Sequence, residues 1–600
     1  MKSLEFLVIL LQPLTFVPDL VEHVSKYGDY ERISMTSVDI NKIYSNDYAD
    51  FFVEYIGIPS VLDQFRADGV QIINFFYAVA YLPISTMTPE VLSATGIVLP
   101  ALFGLTNEAS LEASGIIRLR NIPNFNLRGK GVLIGFVDTG IDYMNPVFQN
   151  ADKTTRIDAI WDQTIISAVP QESIPYGTEY TRELINEALK SETPFQVVPS
   201  KDENGHGTMV AGISAGNEVP ESGFYGVATD TDIVVIKLKP AKKYLKDFFL
   251  IPENADCYQE NDLLFGIQYL LNYSYKVNKP LVICLSCDTP YYARDGRDII
   301  SGYLSIRSSF PGLAVIIPAG NERNARRHYL GVINESPGFD TIELNVGVEE
   351  SGFTMRLWGA SPNYFTIDIT SPSGEYIPKI DAKLQETREV RFIFESTVIY
   401  ISFQIVEKQT GDQSIFLRFI KPVAGIWKFK VYGRGIYPMN YNIWLPMNGF
   451  ITPNTYFIRS TPDTTLLSVA CASVPITVTA YNALDDSLFL DASIGYTRTN
   501  MVKPDIAAPG VNILSPNLDQ SFSLVSGTSA AAAHTAGVAA LLLEWGVVRG
   551  QYSNMSTQDI KVFMTRGARR RLDVLYPNKE WGYGILDVFN VFDSIRRGDT

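Results

Sequence analysis

Four near-continuous apolar segments constrain this chain most: GVLIGFVDTG (131–140), DIVVIKLK (232–239), LVICLS (281–286) and LAVIIPAGN (313–321). A strand with one wet face alternates apolar and polar residues, because successive side chains point to opposite sides. These segments do not alternate, so both faces must be covered, as in a parallel sheet flanked by helices. Helical stretches such as NDLLFGIQYLLNYSYKV (261–277) lie between them. Alternating strand and helix of this kind predicts an α/β fold with a doubly wound, mostly parallel sheet.

That pattern is interrupted twice. From about 345 to 455 the helices vanish, and TIELNVGV, GFTMRLWG, YFTIDIT, REVRFIFE, TVIYISFQIV, QSIFLRFIK, GIWKFKVYG and YNIWLPM follow one another as short, turn-separated strands. This stretch is expected to form an inserted, jelly-roll-like β-sandwich. The α/β pattern resumes near 465 with TLLSVACA and an Ala-rich run from 529 to 545. Ahead of the first apolar strand, residues 47–83 read strand, helix, strand, strand, a compact α+β unit of the ferredoxin-like kind. The expected organisation is an N-terminal extension (1–45), an α+β domain (46–100), an α/β domain in two pieces (101–344 and 456–600) and the inserted sandwich (345–455).

Composition excludes some functions. A formal charge of -15 and a pI near 4.9 argue against nucleic acid or an anionic membrane as the main partner. The four cysteines, Cys257, Cys284, Cys287 and Cys471, are too few and too scattered for a secreted disulfide framework. Cys284 and Cys287 form a CxxC inside an apolar strand with no further zinc ligands nearby, so structural, reduced thiols are expected. Residues 1–20 hold a short apolar patch broken by Glu5, Gln12 and Pro13, which reads as an amphipathic or strand segment in preference to a signal peptide. No run has the roughly 20 apolar residues that span a bilayer. No EF-hand spacing is present, so no cofactor is expected; scattered Ca²⁺ ligands would escape such a search.

Four segments together carry chemistry. FVDTGID places Asp138 at the carboxyl end of a buried strand, where doubly wound folds hold active residues. DENGHGTMVAGISAG sets His206 between two glycines at the start of a small-residue helix. IIPAGNE puts Asn321 just past another strand, and SGTSAAAAHTAG puts Ser529 at the amino end of a buried helix. A serine hydroxyl needs an imidazole to take its proton, and the imidazole needs a carboxylate to hold its tautomer. A helix amino terminus and an Asn amide can both donate to a developing oxyanion. Taken singly, each segment is more often a turn or a packed helix start. The order Asp, His, Asn, Ser is what gives the set its meaning.

With these motifs the chain resembles the subtilase family of serine proteases over most of its length. KPDIAAPG (503–510) and WGYGILDV (581–588) look like that family's segment ahead of the nucleophile and its closing motif. The resemblance implies a subtilisin-like fold, catalytic roles for Asp138, His206 and Ser529, an oxyanion role for Asn321, and a propeptide at 46–100. The β-insert and the unit before Asp138 are similar to those of the Csp-type germination proteases of spore-forming anaerobes. For location, a cytoplasmic or spore-associated site is favoured over secretion.

There are departures. Where the family usually has SMAAPH, this chain has Ser529-Ala-Ala-Ala-Ala-His534. The family's substrate-binding LSLG is here Leu285-Ser286-Cys287-Asp288. By resemblance Ser286, Cys287, Asp288, Ala319 and Gly320 are the candidate substrate-binding residues; Asp288 could meet a basic side chain or merely cap a turn, and the turn is favoured. His534 is expected to be structural. The expected partners are a protein or peptide substrate and the chain's own propeptide, removed by self-cleavage between about Ser85 and Ala101. The insert holds none of the four motifs and is expected to be dispensable for chemistry. The competing reading, a pseudoprotease of the same fold, is disfavoured by the intact motifs. An esterase would need Gly-x-Ser-x-Gly, and Ser529 sits in Gly-Thr-Ser-Ala-Ala.

Overall fold

The computed structural model describes parts of residues 47–83 and, with short gaps, residues 111–597. The chain divides into two units, Met1–Gly104 and Leu105–Thr600. In the first, β1 (Tyr48–Glu54), β2 (Gly69–Ile72) and β3 (Tyr77–Pro83) form an antiparallel sheet in the order β1-β3-β2. Most of the expected helix at 61–65 and the expected cleavage region at 85–101 lie outside the described residues.

The second unit is built on a nine-stranded sheet. Its centre consists of β4 (Leu133–Asp138), β5 (Ile157–Asp162), β7 (Asp232–Lys237), β8 (Leu281–Leu285) and β9 (Leu313–Pro318), all parallel, in the order β9-β8-β4-β7-β5. Every residue of β4, β5, β8 and β9 is buried, as their unbroken apolar runs require. β6 (Thr178–Thr181) closes one edge antiparallel to β5. One face is covered by helix α1 (His206–Ala215) and α3 (Thr528–Leu543), the other by α2 (Glu260–Val277). Contrary to the expectation that no run reaches bilayer length, Thr528–Val548 is long and apolar enough to cross one by length and composition, yet most of it is buried inside the fold. It reads as the central helix of a core, whose small residues let neighbours approach. A Cβ on Gly537 would stand 2.4 Å from Val227 Cβ, and one on Gly212 would stand 2.3 Å from Pro516 Cγ.

The helix-free stretch is a two-sheet sandwich. One sheet has six strands: β10 (His328–Ile333), β12 (Gly352–Gly359), β15 (Thr387–Arg391), β16 (Val398–Gln404), β17 (Gln413–Ile420) and β19 (Met439–Trp444). The other has five: β11 (Phe339–Val346), β13 (Tyr364–Thr370), β14 (Tyr376–Ile380), β18 (Gly425–Arg434) and β20 (Tyr456–Phe457). Alternate residues such as Phe353, Met355 and Leu357 of β12 and Trp427, Phe429 and Val431 of β18 fill the space between them. The sandwich therefore begins at His328, ahead of the 345 boundary expected from patterning. The early strand β10 reads HYLGVI and pairs only with the distant β19, so nothing local marks it as part of the insert.

Candidate active site

The site gathers at the carboxyl ends of β4, β8 and β9. Asp138 ends β4 and is 1% exposed. His206 opens α1, and its Nδ1 lies 2.8 Å and 3.0 Å from the two carboxylate oxygens of Asp138. The Asp138 charge, opposed by burial, raises the imidazole above the ordinary histidine value. Asp138 Oδ1 also accepts the Thr139 N–H at 2.7 Å, which holds the carboxylate at the strand end.

The start of α1 is tied down by residues that motif reading passed over. Asp202 Oδ2 accepts from Thr208 N at 2.9 Å and Thr208 Oγ1 at 2.7 Å, while Oδ1 accepts from Thr139 Oγ1 at 2.8 Å and Gly205 N at 2.9 Å. Thr139 Oγ1 in turn accepts from Gly207 N at 2.9 Å. One buried carboxylate thus satisfies first-turn amides that have no helical acceptor and links them to the residue after Asp138. Gly205 takes a left-handed φ of 90° to lead into the helix, where a side chain would be strained. The signal was an Asp four positions before the His, within the same motif.

Asn321 follows β9. Its Oδ1 accepts from Thr528 N and Thr528 Oγ1, both at 3.2 Å, so its amide nitrogen points away from that contact. Thr528 Oγ1 is itself 3.1 Å from the Gly320 N–H. Ser529 is the second residue of α3 and is partly exposed, with its own N–H in the helix's first turn, where no intrahelical acceptor exists. Among the described residues no hydrogen bond joins Ser529 Oγ to His206, and His206 Nε2 has no protein partner.

The five candidate substrate-binding residues fare differently. Ser286 and Cys287 follow β8 and are partly exposed; Cys287 Sγ lies 3.9 Å from Val137 O, beside Asp138. Burial and the Asp138 charge push its thiol up, so it stays protonated, and all four cysteines are free. Asp288 Oδ1 accepts from Thr289 N (2.6 Å) and Val469 N (2.8 Å), and Oδ2 from Ala470 N (3.0 Å). Its carboxylate is occupied as a turn cap, and burial pushes it up to about 7. Ala319 is fully buried, its N–H bonded to Val478 O at 2.9 Å. The N–H and C=O of Gly320 bond to Thr528 Oγ1 and Ser493 N. The backbone groups of both residues are bonded within the protein, on the approach to Asn321. His534 is buried against Ser114, Oγ to Nε2 2.8 Å, and burial lowers its pKa to about 3, which keeps it neutral.

The model of the subtilase family matches residues 129–328 and 458–584, the two pieces that flank the sandwich. The structure of the Clostridium perfringens CspB protease superposes with a TM-score of 0.73 at 30% identity, over 81% of this chain and 98% of that one. An S41 psychrophilic protease matches at 16% identity with a TM-score of 0.39, over 79% of this chain and 97% of that one.

Proposed function

Because this chain belongs to the subtilase family and is a subtilisin-like serine endopeptidase, we propose that Ser529 is its nucleophile, His206 its general base and Asp138 the residue that orients His206. The observation that carries the assignment is the His206 Nδ1–Asp138 contact at 2.8 Å, which leaves Nε2 free to accept a proton. The nucleophile–base bond between Ser529 Oγ and His206 Nε2 is one of those that commonly tighten only when substrate is bound.

The steps follow from the donors present. Ser529 Oγ attacks the scissile carbonyl carbon as His206 Nε2 takes its proton. The oxygen, now negative, is met by Asn321 Nδ2 and the first-turn amide of Ser529, both preorganised rather than recruited. The intermediate collapses as imidazolium returns the proton to the leaving amine, and the C–N bond breaks. Water, deprotonated by the same imidazole, then releases the acyl group. No step calls on a cofactor. The substrates are proteins or peptides, the first of them the chain's own N-terminal unit, cut between about residues 85 and 101.

Purified wild type and Ser529→Ala, expressed without other proteases, test the reading. Only the wild type should lose a fragment of that size from the 66.8 kDa chain and take a fluorophosphonate label. An uncut and unlabelled wild type would favour a pseudoprotease. Equal cutting of both proteins would show that processing does not come from Ser529.

A further inference from the structure

The sandwich reaches the residues that hold Asn321. After β19 the chain runs beside the α/β body's last residues before β10, with Leu445 N bonded to Arg327 O and Arg327 Nη1 to Pro446 O. Asn448 then donates its backbone N–H to Glu322 Oε1 at 3.0 Å, and its Nδ2 lies 3.5 Å from Asn321 O. Two residues on, the Phe450 ring faces Tyr291 at 6.4 Å and 20°, just beyond the Ser286–Asp288 segment. One loop of the insert thus touches both rims of the site.

Glu322 makes the contact notable. It is 6% exposed, directly follows Asn321, and its Oε2 has no hydrogen-bond partner among the described residues. A carboxylate buried there is costly unless its bonds hold something in place, since an apolar residue of similar size would be cheaper. What its bonded oxygen holds is the insert's loop, while its N–H is bonded to Ser493 Oγ at 3.0 Å. We propose that Glu322 and Asn448 are positioning residues for Asn321, through which the sandwich keeps the oxyanion donor aligned with Ser529. This rests on the catalytic reading above, and it revises the expectation that the insert is dispensable for chemistry.

The test uses the full chain and a fluorophosphonate, whose P=O oxygen takes the oxyanion position. Maximal inactivation rate and half-saturating concentration are measured separately. Glu322→Ala should lower the rate roughly 10-fold, since small misplacements of a catalytic donor cost one to two orders of magnitude, with half-saturation unchanged. Glu322→Gln, which keeps an acceptor for the Asn448 N–H, should recover most of the rate. Asn448→Pro removes that N–H at an exposed loop position without touching the core and should reproduce the loss. In an Asn321→Ala background Glu322→Ala should add little, because the group it positions is gone. Wild-type rates in both Glu322→Ala and Asn448→Pro, or losses that multiply with Asn321→Ala, would overturn the inference alone. A wild type that takes no Ser529-dependent label would overturn the catalytic reading and this inference with it.

Discussion

His206 carries the titration on which activity should turn. As the proposed base it would accept the serine proton in its neutral form, and the neighbouring Asp138 charge favours the protonated form, so its pKa lies above the ordinary value of 6.5. Activity should therefore be low in acid and rise with pH, and the midpoint in kcat/KM should lie above that ordinary value. A profile flat between about pH 5 and 8, spanning the usual histidine range, would remove His206 as the base. At Asn321 the side-chain oxygen accepts two bonds from Thr528, which leaves Nδ2 for the proposed oxyanion contact, one that strengthens in the transition state. Asn321→Ala should lower kcat by roughly 10²–10³ with little change in KM. Steady-state kinetics on any cleaved peptide would show it.

Two glycines in helices make a matched pair at the scale of elements. A Cβ on Gly207 would stand 2.1 Å from the Gly140 carbonyl oxygen, so α1 could not keep its approach to the end of β4. Gly207→Ala should displace His206 from Asp138 and lower kcat by roughly 10²-fold, while far-UV circular dichroism stays near wild type. Gly302 lies in the helix Ile299–Arg307 with nothing within 4 Å of a Cβ built there. Gly302→Ala should instead stabilise the protein by about 0.5–1 kcal/mol through backbone entropy and helix propensity, seen as a higher Tm with unchanged kinetics. The contrast was not legible in the sequence, because nothing in either helix's own residues tells what lies against its glycine. The neighbour that decides the sign is brought up by another element.

The sandwich and the α/β body are tied across the whole molecule by Arg498. Its Nη2 lies 2.6 Å from Asp412 of the insert and 3.1 Å from Asp295 of the body, with the guanidinium 6% exposed. Removing it leaves the buried Asp295 carboxylate and the partly buried Asp412 carboxylate without their cation. Arg498→Ala should cost about 3–5 kcal/mol, the usual penalty for breaking a buried ion pair from one side, measurable by denaturant or thermal unfolding. The α/β body was legible because each strand is apolar on both faces, a local signature of burial. The start of the insert was not, because β10 gains its place by pairing with β19, more than a hundred residues away.

What the sequence by itself determined is the family and the candidate set: Asp138, His206, Asn321 and Ser529 each stand at an element end whose pattern is written within a dozen residues. The family's order of motifs joins them without any knowledge of distance. Only the tertiary structure decided how those groups are held. Asp202 pins α1, Thr528 turns the Asn321 amide, and Asp288 spends its charge on backbone amides instead of facing a substrate. It also brought Asn448 to Glu322, across 126 positions of chain. Such contacts have no local signal. A hydrogen bond depends on where two backbones meet, and that meeting is set by sheet order and packing rather than by the residues on either side.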